Sequence, residues 1–177
     1  MIRCYVTRRA SGDIEAGIAR AISEGVDFIQ IREKDLSARE LLELAVRARS
    51  RAEGSRARVL VNGRLDIALA ADLDGVHLPA NGLPPPRVRP FVRTLGVSTH
   101  SVEEAIAAQQ AGADFVFFGP IFETPGKSPV GISALRAVTA VVRIPVLAIG
   151  GITIANTPEV LAAGAAGIAA IRLFQGV

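Results

Sequence analysis

Short runs of apolar residues alternate with amphipathic segments along the whole chain. Eight of these runs are nearly continuous stretches of Val, Ile, Leu, Phe and Ala, which is typical of strands buried on both faces of a parallel sheet. We predict strands at residues 3–7, 28–32, 58–61, 75–78, 95–98, 115–118, 146–149 and 168–173. The regular alternation of these strands with amphipathic segments predicts an α/β fold.

Between these runs, apolar positions recur at helical spacing, and polar residues mark where helices begin. Ser37 and Glu40 are spaced as a capping box ahead of an apolar helix face. Ser101 opens an acidic first turn, and Gly112 is placed to end that helix. Further helices are predicted at residues 13–23, 133–142 and 158–163. The segment 83–90 contains four prolines and predicts a loop with at most a short helix after it.

The number of strand–helix units predicts a closed TIM (β/α)8 barrel. An open doubly wound sheet is the alternative, but no Gly-x-Gly-x-x-Gly turn supports it. With 177 residues the chain is short for a barrel, which typically has about 250. We therefore predict a single domain, residues 1–177, whose compact barrel lacks the last helix. The apolar flank that this helix would cover predicts a homodimer in which a second subunit covers it.

Composition narrows the class of protein. Half of the residues are hydrophobic and 21% are charged, which excludes wholesale disorder. No apolar run approaches the ~20 residues that span a bilayer, and the N-terminus has no apolar signal region. Cys4 is the single cysteine and cannot form an internal disulfide. We expect a cytoplasmic protein without a membrane partner.

The net charge of +3 points to a small anionic ligand. Nucleic acid is a poorer match, because the cationic residues are spread along the chain and aromatic residues make up only 5% of it. In a barrel of this kind, ligands bind at the carboxyl ends of the strands. Candidate site residues are therefore those that directly follow each apolar run.

Three polar residues alternate at the end of the second predicted strand. Gln30, Arg32 and Lys34 share one side of the chain, whereas Ile31 and Glu33 face the other side. An amide, a guanidinium and an ammonium that converge on one point are suited to a phosphate or carboxylate ligand. The alternative is an ion pair between one of these cations and a neighbouring carboxylate.

The next three strands end in further candidates for substrate contact. Asn62 follows the third strand, although the pair that it forms with the next glycine is also a turn signal. His77 lies on the fourth strand and fits either structural hydrogen bonding or substrate contact. Ser98 and His100 end the fifth strand, and an imidazole that titrates near neutral pH suits acid–base chemistry. No carboxylate or thiolate is spaced to complete a metal site with the two histidines, so we expect none.

The segments that follow the last three predicted strands contain a longer loop and a candidate phosphate site. Thr124 and Lys127 lie in the loop of residues 119–131, whose Gly and Pro content fits either a lid or a rigid connection. Gly150 and Gly151 follow the seventh strand, where backbone N–H groups can approach a phosphate. Arg172, at the end of the eighth strand, can add a charge to this site. The alternative for the glycine pair is an ordinary turn.

Six ordered segments over nearly the whole chain carry a family pattern. They are residues 30–34, 62–70, 75–78, 96–105, 111–122 and 144–152. Together they resemble the thiamine-phosphate synthase/TenI superfamily. The resemblance implies a TIM barrel that acts on a thiazole phosphate in thiamine biosynthesis. It also implies one of two activities: a synthase that joins a pyrimidine diphosphate to a thiazole phosphate, or a TenI-type thiazole tautomerase.

This chain departs from the pattern of each activity. Synthase motifs carry aspartates that hold magnesium, in Asn-Asp-Arg after strand three and Gln-Asp-Asp after strand four. Here these positions read Asn62-Gly63-Arg64 and Pro79-Ala80-Asn81-Gly82. TenI proteins carry a catalytic histidine after strand six, at the position of Pro120, and a second histidine at the position of His100.

From this comparison we predict a TenI-like thiazole tautomerase, an isomerase without cofactor or metal, with His100 as the acid–base group. The thiazole phosphate is expected to contact Gln30, Arg32, Lys34, Asn62, His77, Ser98, Thr124 and Lys127, with its phosphate on Gly150, Gly151 and Arg172. Pro120 and Lys127 support the alternative of a thiamine-phosphate synthase. A homologue that binds thiazole phosphate without turnover is a further alternative.

Overall fold

A closed barrel of eight parallel strands, arranged in the order of the sequence, forms the centre of the molecule. The computed structural model describes residues 1–174. Each strand pairs with the next, and β8 (Gly167–Ala170) pairs with β1 (Ile2–Val6) to close the ring. The predicted TIM barrel is therefore confirmed.

The strands agree with the predicted runs to within one or two residues, except at the last one. The other six are β2 Phe28–Ile31, β3 Arg58–Asn62, β4 Gly75–Leu78, β5 Thr94–Thr99, β6 Phe115–Phe118 and β7 Val146–Ile149. The eighth strand was predicted to continue to residue 173, but it ends at Ala170. A single 3-10 turn, Arg172–Phe174, follows it, so Arg172 lies beyond the strand.

Seven α-helices of the described chain connect these strands on the outside of the barrel. They are α1 Ile14–Ser23, α2 Ala38–Ala52, α3 Leu65–Ala70, α4 Pro85–Val88, α5 Val102–Gln110, α6 Gly131–Val141 and α7 Thr157–Ala162. The predicted capping box is present, because the Ser37 side chain accepts from the Glu40 N–H and the Glu40 carboxylate accepts from the Ser37 N–H. The short helix α4 lies inside the proline-rich segment instead of after it. None of the helices in residues 1–174 combines the length and apolarity needed to cross a bilayer.

Alternating side chains separate two apolar regions. Those that face the barrel interior form a small cluster: Cys4, Val6, Phe28, Leu60, Phe115, Phe117, Leu147 and Ala169. The rings of Phe28 and Phe115 stack there at 5.0 Å between centroids. Gly96 leaves room for this packing, because a Cβ at that position would lie 2.4 Å from the Phe115 ring. The interior is therefore filled, and the second, larger core lies between strands and helices.

A buried phenylalanine covers the flank of β1 and β8 that was expected to be exposed. Phe174 is fully buried and meets the Tyr5 ring edge-on at 6.1 Å. The Arg3 guanidinium lies 5.2 Å from the centre of the Phe174 ring. All four residues of β8 are buried as well. The expectation of an uncovered flank is therefore wrong, because the 3-10 turn folds back over it, and the homodimer remains a prediction without this support.

The packing of Phe174 predicts that this turn contributes to stability. Phe174→Ala should lower the free energy of unfolding by about 3 kcal/mol, because it leaves a cavity beside Tyr5. Phe91 is 59% exposed and supplies the matched control, since Phe91→Ala should change stability by less than about 0.5 kcal/mol. Urea unfolding followed by circular dichroism measures both variants. Equal losses for the two would contradict the packing role of Phe174.

Candidate functional site

A cavity of about 750 Å³ opens at the carboxyl ends of the strands. Each of the eight strand-to-helix connections, or the strand end before it, contributes to its lining. The apolar interior cluster lies beneath it, since Val6, Phe117 and Ala169 belong to both. Closure of the barrel therefore gathers polar residues from the whole chain around one opening.

The lining of this cavity is strongly cationic. It includes Arg8, Arg32, Lys34, Lys127 and Arg172, and no Asp or Glu among the described residues. Within residues 1–174, no carboxylate forms an ion pair with Arg32, Lys34, Lys127 or Arg172. The alternative of a local ion pair for Arg32 or Lys34 is therefore not observed. Uncompensated positive charge at a concave surface attracts anions.

The alternation along the end of β2 is as predicted. Gln30, Arg32 and Lys34 line the cavity, whereas Ile31 is buried in the outer core. Glu33 also turns outward, where its carboxylate accepts from the Thr7 hydroxyl at 2.6 Å and the Arg9 N–H at 2.9 Å. Two-residue periodicity thus presents cations to the cavity and directs the neighbouring carboxylate away from it.

Two polar atoms at the cavity are buried without a partner. Gln30 Nε2 and Thr124 Oγ1 make no hydrogen bond, although both residues line the cavity. A buried polar group without a partner is costly, and a ligand with acceptor oxygens would satisfy it. These two atoms are therefore suited to contact a bound anion.

His77 lies beneath the cavity, not in its lining. Its Nε2 is 2.9 Å from Ser98 Oγ, and its ring centre is 4.0 Å from that of Phe117. Burial, together with the charge of Arg32, lowers the pKa of His77 to about 3. His77 is therefore neutral, and it can influence a ligand only through the Ser98 hydroxyl, which does line the cavity.

His100 lines the cavity but is held by hydrogen bonds to the protein. Its Nδ1 donates to the Gly119 carbonyl oxygen, and its backbone N–H donates to Glu104 at 2.7 Å. Because a carbonyl can only accept, the ring proton is on Nδ1 when the imidazole is neutral. His100 therefore joins the end of β5 to the start of the loop after β6.

The loop after β6 is a hydrogen-bonded turn. At its tip the Lys127 N–H donates to the Thr124 carbonyl at 3.1 Å, and at its base the Val130 N–H donates to the Pro120 carbonyl at 2.8 Å. Gly126 has a φ of +75°, which a glycine adopts readily. This turn places both Thr124 and Lys127 at the cavity.

The glycine pair after β7 has a conformation that requires glycine. The φ angles of Gly150 and Gly151 are +97° and +65°, and a Cβ on Gly150 would lie 2.4 Å from the Pro120 Cβ. The Gly150 carbonyl accepts from the Phe122 N–H, and the Gly151 carbonyl accepts from Asn156 Nδ2 at 2.9 Å. Both glycines line the cavity, and successive backbone N–H groups in such a conformation are suited to bind an anion. Arg172 lines the same cavity, as the predicted phosphate site requires.

Some lining residues were not predicted from the sequence. Arg8, Asn81 and Thr99 contribute to the cavity, together with backbone and apolar atoms of Pro79, Ala80 and Pro120. Arg8 was recognisable in principle, because it directly follows the first predicted run, residues 3–7. All predicted site residues except His77 lie at this cavity, and their roles there remain predictions.

The described residues do not fit the magnesium site that the synthase resemblance implies. No three His, Cys, Asp or Glu side chains of residues 1–174 are grouped to hold a metal. The side chains that line the cavity after β3 and β4 are the amides of Asn62 and Asn81, not carboxylates. Magnesium is usually held by one or two carboxylates together with substrate phosphates.

Comparison with known proteins identifies the family. Residues 4–174 match the family model described as thiamine monophosphate synthase. The chain belongs to the thiamine monophosphate synthase family. It is 50% identical over 166 residues to a protein named putative thiamine-phosphate synthase from Geobacter sulfurreducens, which covers 90% of this chain and 78% of the relative. It is 44% identical over 163 residues to the thiamine-phosphate synthase of Moorella thermoacetica, covering 88% and 78% of the two chains.

Solved structures agree with the family assignment. The thiamine phosphate pyrophosphorylase from Pyrococcus furiosus superposes with a TM-score of 0.91 at 34% identity, covering 97% of this chain and 85% of that chain. A 3-hexulose-6-phosphate synthase matches at a TM-score of 0.73 with 21% identity over 99% of this chain and 92% of that one. The second likeness shows the barrel fold alone.

The prediction of a TenI-like thiazole tautomerase is wrong. The relatives at 44–50% identity are named as thiamine-phosphate synthases, so the family comparison favours a transferase over an isomerase. Pro120 lines the cavity at the position where the resemblance expects the TenI histidine, and a proline side chain cannot act as an acid or a base. The prediction relied on the missing aspartates together with His100, and neither distinguishes a tautomerase from a synthase that has an altered metal site.

The buried state of His77 predicts a pH-dependent stability in this synthase-family protein. A pKa of about 3 in the folded protein, against about 6.5 when unfolded, means that protons bind the unfolded chain first as the pH falls. The contribution of His77 to the free energy of unfolding is therefore complete above about pH 6.5, and it is lost progressively as the pH falls toward 3. This group alone should remove about 2 kcal/mol between about pH 7 and about pH 5.

The variant His77→Gln should lose about 2 kcal/mol less than the wild type over this interval. Phe91→Ala is the control and should keep the wild-type pH dependence, since Phe91 is 59% exposed and has no titratable group. Urea unfolding at the two pH values measures the difference. An identical pH dependence for wild type and His77→Gln would show that His77 is not held neutral.

Proposed function

We propose that the protein is a thiamine-phosphate synthase that joins a pyrimidine diphosphate to a thiazole phosphate and releases diphosphate. The observation that carries the proposal is the cavity at the carboxyl ends of the strands, which has five cationic side chains and no carboxylate among the described residues that line it. Two substrates that each end in phosphate groups need such a concentration of positive charge. The names of the relatives support the same activity.

The reaction requires one bond to break and one to form. The bond between the pyrimidine methylene carbon and the diphosphate oxygen breaks, and diphosphate leaves with the electron pair. The thiazole nitrogen then supplies the electron pair for the new carbon–nitrogen bond. Negative charge therefore develops on the leaving oxygen, where cations fixed in place lower the barrier.

We assign the diphosphate to the cluster at the end of β2. Arg32 and Lys34 face the cavity without ion pairs to described carboxylates, and Gln30 adds an amide N–H without a partner. A guanidinium can contact two phosphate oxygens at once, and a lysine supplies a point charge beside it. Lys127 enters from the turn after β6 and supplies further positive charge.

We assign the thiazole phosphate to the loops after β7 and β8. Gly150 and Gly151 line the cavity, and their carbonyls accept hydrogen bonds from Phe122 and Asn156, so the amide N–H groups are the polar atoms that we assign to the phosphate. Arg172 lies in the next connection around the barrel. In barrels of this fold, these two connections often form a phosphate site. Ser98, supported by neutral His77, lies between the two assigned sites in strand order and can orient a substrate ring.

The assignment of Arg172 predicts a selective kinetic defect. Purified protein supplied with both substrates should form thiamine phosphate and release diphosphate. Arg172→Gln should raise KM for the thiazole phosphate by about tenfold or more, because one charged contact to the phosphate is lost, and should change KM for the pyrimidine diphosphate much less. Arg136→Gln is the control, since Arg136 is exposed on α6 outside the cavity.

The assay is run with both excess magnesium and a chelator. Absence of product above background in both conditions would contradict the proposed synthase and favour a homologue that binds without turnover. Equal changes in both KM values for Arg172→Gln would contradict the division of the cavity into two anion sites.

A further inference from the structure

We propose that the cavity binds the diphosphate group without a divalent cation, because arginine and lysine side chains of the chain itself balance its charge. The proposal rests on the proposed function for the identity of the ligand. It extends that function by stating what neutralises the leaving group in this chain. It arises from the disagreement between the family's magnesium motif and the residues found here.

The oxygen donors around the cavity are poor ligands for magnesium. Among the described residues, the side chains there supply amides and hydroxyls, namely those of Gln30, Asn62, Asn81, Ser98, Thr99 and Thr124, and no carboxylate. Magnesium prefers charged oxygen ligands and gives up its own water reluctantly. The surrounding cations would also repel a second positive charge. A magnesium site at this opening is therefore unfavourable on both grounds.

Five carboxylates close in sequence to the lining residues are directed or engaged elsewhere. Glu33 accepts from Thr7 and Arg9 on the outer side of β2, and Asp35 pairs with Arg9. Asp66 pairs with Arg64 through two hydrogen bonds. Glu104 accepts from the backbone N–H of His100. Glu123 is exposed, and it is absent from the cavity lining. A rearrangement that brought one of them to the ligand would break an existing contact in four of these five cases.

Three cationic side chains of the cavity can take the place of the metal, because no carboxylate of the described chain neutralises them. Arg32, Lys34 and Lys127 have no ion pair with any carboxylate of residues 1–174, so their charges are available to a ligand. The charge of Arg32 also reaches the buried His77 beneath the cavity, where it adds to the effect of burial in lowering the pKa of that ring. An arginine that binds two phosphate oxygens supplies both the charge and the fixed geometry that a metal would supply.

The sign of the magnesium effect follows from this arrangement. In solution magnesium binds diphosphate and reduces its negative charge. The magnesium complex of diphosphate is less negatively charged, so a cavity that binds the anion through its own cations should bind this complex less tightly. Magnesium should therefore leave the affinity for diphosphate unchanged or lower it. A cavity that depends on a bridging metal would show the opposite effect.

Titration calorimetry with inorganic diphosphate tests the proposal on the full chain, once with EDTA and once with excess magnesium chloride. Diphosphate should bind in EDTA, and magnesium should not raise the affinity for diphosphate by more than about threefold.

Arg32→Gln, or Lys34→Gln if the first variant is unstable, should weaken diphosphate binding in EDTA by about tenfold or more. Arg39→Gln, an exposed arginine outside the cavity, should bind as the wild type does. No binding in EDTA, or tightening by magnesium beyond threefold, would overturn the proposal.

A second variant tests the cause directly. Asn81→Asp places a carboxylate in the cavity lining. In this variant, affinity in EDTA should fall, because the carboxylate repels the anion, and magnesium should raise it by about tenfold, because a charged ligand for the metal now exists. A magnesium response equal to that of the wild type would show that the missing carboxylate does not determine the metal requirement, and would overturn the explanation.

The outcomes separate this proposal from the synthase activity. Diphosphate that binds in EDTA to a protein that forms no thiamine phosphate would contradict the activity and leave the metal-independent site standing. Product formed only in the presence of magnesium, with no diphosphate binding in EDTA, would leave the activity standing and contradict the site.

Discussion

The pairing of β8 with β1 is the interaction on which the rest of the structure depends. It converts a row of strands into a ring, so that all eight carboxyl ends meet at one opening. The contact is close enough to fix the residue type, because a Cβ on Gly167 would lie 1.9 Å from the Ile2 carbonyl oxygen. Without this closure, the cations that follow β1 and β8 would lie at opposite edges of an open sheet. The electrostatic character of the cavity is thus a product of topology.

Local periodicity explains the part of the site that could be predicted. The alternation of Gln30, Arg32 and Lys34 is a property of an extended chain, so their common direction followed from sequence alone. The glycine pair after β7 was recognisable because two adjacent glycines directly after a predicted strand are visible in the sequence itself. Most strand ends were also correct, because parallel strands buried on both faces are continuous apolar runs.

Contacts between distant segments explain the part that could not be predicted. Phe174 packs on Tyr5, although the two residues lie near opposite ends of the chain, and no local sequence pattern predicts this contact. His77 was expected to meet the substrate, but packing against Phe117 and a hydrogen bond to Ser98 place it below the cavity. The activity was mispredicted for a different reason. Arg32, Lys34, Lys127 and Arg172 were already expected at the substrate, and phosphate-binding cations suit both activities, so the missing aspartates and His100 decided the prediction.

The glycine at position 96 has a consequence for how this barrel can change over evolution. A Cβ there would come within 2.4 Å of the Phe115 ring and 2.5 Å of His77 Nδ1. The three residues therefore share one fixed volume inside the ring. A relative that carries a larger residue at position 96 must carry smaller ones at 115 or 77, and these positions should covary across the family. Because His77 is hydrogen-bonded to Ser98, which lines the cavity, a change in interior volume would also alter the floor of the cavity.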